Sequence, residues 1–184
     1  DALRAESDAQ ISLSPGFRWG TSVLPGQPIT MEHVMDQTAT TYPETYVREM
    51  SGEDIKNILE DVCDNLFNKD PYYQQGGDMV RLGGMEYVLD PNKTFGKRIS
   101  DMTLDNGKKV DAHKKYKVAG WATEKSKAEG RHDWDVKADY NRSYSQLKIK
   151  KLNTQKMVNI KGNQGIERKT TITGSNKKTQ YWGF

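Results

Sequence analysis

Residues 45–66 read TYVREMSGEDIKNILEDVCDNL, and this stretch joins a predicted strand directly to a predicted helix. Apolar and polar residues alternate from Thr45 to Met50, as in a strand with one buried face. Ser51 and Asp54 have the spacing of a capping box, which satisfies backbone N–H groups in the first turn of a helix. From about Gly52 to Leu66 an apolar stripe follows at helical spacing, and we expect it to face a mixed sheet: Ile55, Ile58, Leu59, Val62 and Leu66.

The rest of the chain also mixes predicted strands and helices. Strands are predicted at 10–14, 79–82, 85–89 and 115–121, and short helices at 31–37, where Thr30 is the cap, and 134–140. Gly83-Gly84 is interpreted as the turn of a two-residue hairpin, because glycine tolerates the positive φ that such turns need. A second hairpin is predicted at 105–107. The pattern indicates an α/β (α+β) fold with a mixed β-sheet and packed helices.

Composition and charge divide the chain into two parts. Its 184 residues are 34% hydrophobic and 29% charged, which suits one domain with a modest core. The net charge is +3, but the charge is uneven: the segment from Ser145 onward contains nine basic residues and only one acidic residue. We therefore expect a domain at 1–144 and a basic, extended tail at 145–184 that is partly packed on it.

The sequence predicts no membrane-spanning segment, and its start is typical of a fragment. No apolar run approaches the roughly 18 to 20 residues of a membrane span. The chain begins at Asp1 without an initiator Met, in what reads as the middle of an amphipathic helix. Processing or truncation is therefore expected.

The sequence lacks the motifs of several common kinds of catalytic site. Cys63 is the single cysteine, lies on the apolar side of the predicted helix and is expected in the core. His33, His113 and His132 show none of the usual metal-binding spacings. The sequence also has no nucleophile elbow and no phosphate-binding loop. We expect no catalytic residue and no metal site in this chain.

Two segments could bind a ligand. Arg18 lies between Phe17 and Trp19 on a Pro-Gly turn, where a guanidinium fork could hold an oxyanion. The alternative is that Trp19 belongs to the core and Arg18 is only solvated. Residues 72–81 place two tyrosines, two amides and a glycine pair before a strand, which would suit either a ligand-lining loop or a simple tight loop.

In combination, these segments resemble the C-terminal domain of the 5′-nucleotidase superfamily, and within it the SoxB family of thiosulfohydrolases. The resemblance covers about residues 1–166. The segments that carry it are SPGFRWG at 14–20, MSGEDIK at 50–56, DPYYQQGGDMVR at 70–81, GKRIS at 96–100 and KYKVAGW at 115–121.

The resemblance implies a substrate-binding domain whose partner domain does the chemistry. That partner is an N-terminal metallophosphoesterase-like domain, missing from this chain, that holds two manganese ions. The implied reaction is periplasmic: sulfate is released from a cysteine-bound thiosulfonate on the SoxYZ carrier protein. The substrate-binding residues that we expect are Arg18, Trp19, Tyr73, Gln75, Gly77, Asp78, Arg81 and Trp121.

Two alternatives remain open. One is the C-terminal domain of a 5′-nucleotidase or sugar-nucleotide hydrolase. Residues 122–130 read ATEKSKAEG and lack the Gly-Gly-Asp-Gly segment of nucleotidases, which argues against a nucleoside pocket. The other is a non-enzymatic module that binds nucleic acid or another anionic partner through the basic tail, with Tyr144, Tyr181 and Trp182. We do not expect nucleic acid, because the charge is mostly lysine in a sparse tail.

Overall fold

Helices and strands alternate through the described part of the chain. The computed structural model describes residues 1–15, 22–38, 42–121, 128–147 and 151–161. The helices are α1 (Ala2–Ser7), α2 (Met31–Thr38), α3 (Gly52–Phe67) and α4 (Asp133–Arg142), with a 3-10 turn at Pro71–Tyr73. The strands are β1 (Ile11–Ser14), β2 (Thr45–Ser51), β3 (Arg81–Gly83), β4 (Met85–Leu89), β5 (Ile99–Leu104), β6 (Lys115–Trp121) and β7 (Lys156–Met157). Among the described residues, none of the helices combines the length and the apolar character of a membrane span.

The junction between β2 and α3 confirms the prediction for residues 45–66. The backbone N–H of Asp54 donates to Ser51 Oγ at 3.0 Å, and the N–H of Ser51 donates to Asp54 Oδ2 at 2.9 Å. Both bonds of the capping box are therefore present. Ile55, Leu59 and Cys63 on the inner face of α3 are fully buried. Burial raises the pKa of the Cys63 thiol to about 12, which fits a core side chain.

The first sheet contains four strands in the order β2-β6-β1-β3. β1 and β6 run parallel, whereas β2 and β3 are antiparallel to their neighbours. Because side chains alternate across a strand, β6 contributes to both faces. Tyr116 and Val118 point to the side of α3, and Ala119 and Trp121 to the side of α1 and α4.

The second sheet corrects one prediction. It contains three strands in the order β5-β4-β7, with β4 antiparallel to β5 and parallel to β7. The predicted mixed-sheet fold with packed helices is confirmed, but the predicted hairpin at Gly83-Gly84 is wrong. β3 pairs with β1 in the first sheet, while β4 belongs to the second. Gly84, with φ of +87°, lies where the chain passes from one sheet to the other.

The other predicted hairpin, at 105–107, is confirmed. The N–H of Leu104 donates to Lys108 O at 2.8 Å, and the N–H of Gly107 donates to Leu104 O at 2.8 Å. Gly107 has φ of +80°, the left-handed conformation that a tight turn favours. The turn therefore closes the end of β5.

Two apolar clusters lie on opposite faces of the first sheet. The main cluster combines that sheet, α3 and the second sheet; its fully or almost fully buried members are Ile11, Leu13, Ile55, Leu59, Cys63, Met79, Met85, Tyr87, Leu89, Ile99, Tyr116 and Val118. The smaller cluster lies under α1 and α4, and its members are Leu3, Ala9, Ala119, Trp121 and Val136. The first sheet is thus covered on both faces.

Two acidic side chains of α3, Glu60 and Asp64, hold the segment between β4 and β5. Glu60 is buried and accepts hydrogen bonds from the N–H groups of Ile99 at 2.7 Å and Gly96 at 2.9 Å. Arg98 is also buried, and it donates to Asp64 at 2.5 Å and to the carbonyl of Phe67 at 3.2 Å. These charges have strong partners, as buried charges require.

Asp105 links the first and last described segments. Arg4 of α1 lies 3.3 Å from one carboxylate oxygen of Asp105. The other oxygen accepts hydrogen bonds from Lys151 at 3.0 Å and Asn153 at 2.6 Å. Within the predicted tail, residues 151–161 pack on the second sheet through β7, whereas 148–150 and 162–184 lie outside the described residues.

Candidate functional site

One edge of the first sheet brings together two of the predicted site residues, Arg81 and Trp121. Because β1 and β6 are parallel, their carboxyl ends, at Ser14 and Trp121, lie at the same edge. β3 runs the opposite way and begins there, with Arg81 paired to Ser14. We call this edge, defined by Ser14, Arg81 and Trp121, the site edge. Ligands of α/β proteins commonly bind beyond the carboxyl ends of parallel strands.

Trp121 is a buried member of the site edge. Its side chain is only 4% exposed, and its indole Nε1 donates a hydrogen bond to Ser14 Oγ at 2.8 Å. The ammonium of Lys137, on α4, lies 4.5 Å from the centroid of the indole ring. A cation at that distance is attracted by the ring face. One face of the indole is therefore occupied by a side chain of the same domain.

Asp133 holds Lys137 over the ring. Lys137 Nζ lies 2.7 Å from Asp133 Oδ2, one helical turn away, and the carboxylate has no exposed surface. Asp133 Oδ1 has no hydrogen-bond partner among the described residues. Burial raises the pKa of Asp133, although the positive charge of Lys137 partly offsets this shift. Burial lowers the pKa of Lys137, and the positive charge of Arg81 lowers it further, although the carboxylate of Asp133 partly offsets both effects.

The segment before β3 presents exposed polar and aromatic groups. Asp70 starts its 3-10 turn by accepting the N–H of Tyr72 at 2.9 Å. Tyr72 and Tyr73 are 87% and 60% exposed, and their rings make an edge-to-face contact with centroids 5.6 Å apart. Such large exposed aromatic side chains are available to a ligand or partner.

The remaining residues of this segment connect the turn to the site edge. Gln75 and Gly77 are exposed, and Asp78 is half-buried directly before the core residue Met79. Among the described residues, no hydrogen bond engages the side chains of Tyr73, Gln75 or Asp78. The structure thus places Arg81 and Trp121 at the site edge, and Tyr73, Gln75, Gly77 and Asp78 on the segment that leads to it.

The two other predicted site residues are Arg18 and Trp19. Arg18 and Trp19 lie outside the described residues, in the segment 16–21. That segment follows Ser14 and Pro15 along the chain, so it continues from the carboxyl end of β1.

Comparison with known proteins assigns the chain to a family. Residues 1–134 match the model of the family described as 5′-nucleotidase, C-terminal domain. The chain belongs to this family. No curated protein sequence matched it.

Solved structures of the 5′-nucleotidase superfamily share the fold. A structure of the sulfate thiohydrolase SoxB from Thermus thermophilus, in complex with glycerol, is 36% identical with a TM-score of 0.77, over 86% of this chain and 30% of that one. A putative 5′-nucleotidase from Staphylococcus aureus is 17% identical with a TM-score of 0.67, over 85% of this chain and 34% of that one. A 5′-nucleotidase precursor from Thermus thermophilus is 17% identical with a TM-score of 0.65, over 86% of this chain and 34% of that one. The chain therefore spans about a third of the length of these enzymes.

The resemblance assigns the two manganese ions to an N-terminal domain and not to this 5′-nucleotidase C-terminal domain. Its described residues contain no group of three or more His, Cys, Asp or Glu side chains that could hold a metal ion. His33 instead accepts the N–H of Thr30 at 3.0 Å, at the start of α2. His132 contacts the ring of Trp134, with centroids 4.6 Å apart. These histidines have local structural roles.

A separate surface cavity lies beside the first sheet, next to Thr45, which pairs with Trp121. It has a volume of about 390 Å³ and lies between α1, β2, β6 and the segment before α4. None of the predicted site residues lines it. Arg131 at its rim is already paired with Glu6 at 2.9 Å and with Asp139. We therefore take the site edge, and not this cavity, as the candidate functional site.

Asp133 and Lys137 are site residues that sequence reasoning missed. Their spacing of four residues inside a predicted helix is the available signal, since such pairs face each other on a helix. That spacing commonly marks a solvated surface pair. The burial of Asp133 and the contact of Lys137 with Trp121 depend on how α4 packs on the first sheet.

Proposed function

We propose that this domain is the substrate-binding domain of a SoxB-type thiosulfohydrolase. The observation that carries the proposal is the similarity to the Thermus SoxB structure, which is about twice as close in sequence as the nucleotidase structures. The substrate would be a cysteine-bound thiosulfonate on the SoxYZ carrier. Hydrolysis forms a bond from the water oxygen to the sulfonate sulfur and breaks the sulfur–sulfur bond. Sulfate leaves, and the electron pair stays on the sulfur bound to the carrier.

The task of this domain would be to hold the anionic end of the substrate. Arg18 would supply a planar fork for the sulfonate oxygens, and Arg81 adds positive charge at the site edge. Tyr73, Gln75, Gly77 and Asp78 would contact the carrier segment from the exposed loop. These contacts orient the sulfonate for attack, which is a major source of rate enhancement.

The chemistry itself would come from the remainder of the enzyme. A two-manganese site in an N-terminal metallophosphoesterase-like domain would lower the pKa of the attacking water. We expect the isolated chain to be inactive, and the complete enzyme to work in the periplasm. Turnover by the pure 184-residue chain that a chelator abolishes would contradict this division of labour.

The substrate class can be tested with the full-length enzyme. It should release sulfate from the thiosulfonate on the carrier and leave adenosine monophosphate intact. A nucleotidase would give the reverse result, and would contradict the proposal directly.

The role of Arg18 is tested in the same enzyme. A hydrogen bond to a charged group contributes about 1.5 to 3 kcal/mol, so Arg18→Ala should lower kcat/KM about 10- to 150-fold. Arg18→Lys should recover only part of the loss, because lysine keeps the charge without the planar fork. Arg142→Ala is the matched control, since Arg142 is an exposed arginine at the end of α4.

Stability separates this role from simple packing. If Arg18 only packs over Trp19, the Ala variant should melt at a lower temperature while the folded enzyme keeps its kcat/KM. That combination would eliminate the sulfonate-binding role.

A further inference from the structure

The indole of Trp121 has an apolar part in the core and a polar end at the site edge. The ring is 4% exposed and packs in the smaller apolar cluster, whose other members are Leu3, Ala9, Ala119 and Val136. Its apolar part therefore stabilises the fold. At the polar end, Nε1 donates a hydrogen bond to Ser14 Oγ at 2.8 Å. This bond is a route by which a core side chain can act on the site edge.

Ser14 connects the three strands that meet at the site edge. It is the last residue of β1, it pairs with Arg81 of β3 on one side, and β1 lies beside β6 on the other. Its half-buried hydroxyl accepts the hydrogen bond of the buried indole. A buried donor that loses its acceptor is costly, so this bond fixes the conformation of the Ser14 side chain.

Arg81 lies on the same face of the sheet as this hydrogen bond. Residues directly opposite each other in an antiparallel pair project to one face, with Cβ atoms about 4.5 to 5.5 Å apart. The side chain of Arg81 therefore starts beside the Ser14 hydroxyl. Burial lowers the pKa of Lys137 and the charge of Arg81 lowers it further, while the ammonium of Lys137 lies 4.5 Å from the centroid of the Trp121 ring. Both observations place Arg81 on the side of the sheet where Trp121 lies.

We propose that Trp121 and Ser14 are positioning residues for Arg81. The indole N–H fixes the Ser14 side chain, which in turn limits the conformations of its cross-strand neighbour Arg81. The proposal rests on the proposed function, in which Arg81 supplies positive charge for an anionic substrate. It deepens that function, because Trp121 then acts through Ser14 and makes no contact with the substrate. A charge that is held in place beforehand binds better, since fewer side-chain conformations are lost on binding.

The test compares turnover by variants of the full-length enzyme well below their melting temperatures. Ser14→Ala removes the acceptor, and Trp121→Phe removes the donor while it keeps an aromatic ring in the core. Each should lower kcat/KM about 2- to 13-fold, the range expected for one hydrogen bond. Ser14→Thr keeps the hydroxyl and should retain most of the original kcat/KM. Trp134→Phe is the matched control and should leave kcat/KM unchanged, because Trp134 lies in the first turn of α4 against His132.

An Arg81→Ala background shows whether the effect passes through Arg81. In that background Ser14→Ala should cause no further loss of kcat/KM, because the group to be positioned is gone. It should still lower the melting temperature, since the hydrogen bond to Trp121 is lost in either background. An equal loss of kcat/KM with and without Arg81 overturns the proposal. So does an unaltered kcat/KM in Ser14→Ala, or a loss in Ser14→Thr as large as that in Ser14→Ala.

The serine variants keep the test decisive should Trp121→Phe fail to fold. Ser14→Ala is a small change at a half-buried residue, whereas Trp121→Phe leaves a cavity in the core. The cycle of Ser14→Ala with Arg81→Ala then decides by itself. An enzyme that hydrolyses nucleotides and not the thiosulfonate would contradict the proposed function. The same cycle, run with the nucleotide, would still test the positioning of Arg81, so the two failures are distinguishable.

Discussion

The chain contains two Gly-Gly pairs that look alike in the sequence but are held by different physical constraints. Gly76 and Gly77 are exposed, with φ of +83° and +94°, and a Cβ added to either would meet nothing within 4 Å. Gly83 and Gly84 are buried between β1, α1 and the start of the second sheet. A Cβ on Gly83 would lie 2.4 Å from Ser12 Oγ, and one on Gly84 would lie 2.1 Å from Gln10 O.

The first pair is constrained by backbone conformation and the second mainly by space. The side chain of Arg4 crosses the second pair on its way to Asp105, with atoms 3.1 Å from the added Cβ positions. A dipeptide that would suit a turn can therefore serve as a surface on which another segment packs. Substitutions at the two pairs should separate these causes.

Gly84→Ala should have the largest effect. It combines a positive φ of +87° with a clash against the backbone carbonyl of Gln10, which cannot move without disturbing the start of β1. Left-handed conformation and overpacking together should cost about 2 to 5 kcal/mol in the free energy of unfolding. Urea denaturation of the 184-residue chain measures it, and a loss below that of Gly77→Ala would refute the distinction between the pairs.

Gly83→Ala should have an intermediate effect of about 1 to 3 kcal/mol, because its nearest neighbour is the hydroxyl of Ser12. This neighbour can be removed. Combining Gly83→Ala with Ser12→Ala should restore much of the lost stability, since the contact at 2.4 Å disappears. Simple additivity of the two substitutions in the same denaturation experiment would show that the clash lies elsewhere.

Gly77→Ala should have the smallest effect. Its added methyl group meets no atom within 4 Å, so only the positive φ of +94° opposes it. We expect a loss of about 1 kcal/mol. Thermal melting can compare it with Gly84→Ala, and similar melting temperatures for both variants would mean that packing adds nothing at the second pair.

Sequence patterns correctly predicted the helices and turns that are determined by interactions between residues close together in the chain. The capping box at Ser51 and Asp54 and the periodicity of Ile55 and Leu59 place α3 correctly, because both signals act within a few residues. The turn at 105–107 is confirmed for the same reason. The space required at Gly84 is set by Gln10 and Arg4, which lie more than seventy positions earlier in the sequence, so turn chemistry alone could not reveal it.

The same distinction applies to the site edge. That Trp121 ends a strand was predictable from the alternation in 115–121, whereas its contact with Lys137 depends on how a later helix packs on the sheet. The convergence of Arg81 with Trp121 likewise follows from β1 pairing with both β3 and β6. Such long-range pairing is not contained in the pattern of either strand.

Asp105 gives the two ends of the described chain a shared sensitivity to acid. The pKa of this carboxyl lies below its ordinary value of 3.8. Burial alone would raise the pKa, but hydrogen bonds from Lys151 and Asn153 and the positive charges of Lys151 and Arg4 outweigh that effect. A carboxyl whose pKa is lowered by folding stabilises the folded state above its ordinary pKa, and that contribution fades as the pH falls through the lowered value. Protonation of a single side chain would therefore loosen α1 and the 151–153 segment together. In strong acid, unfolding at the two ends of the domain should be coupled.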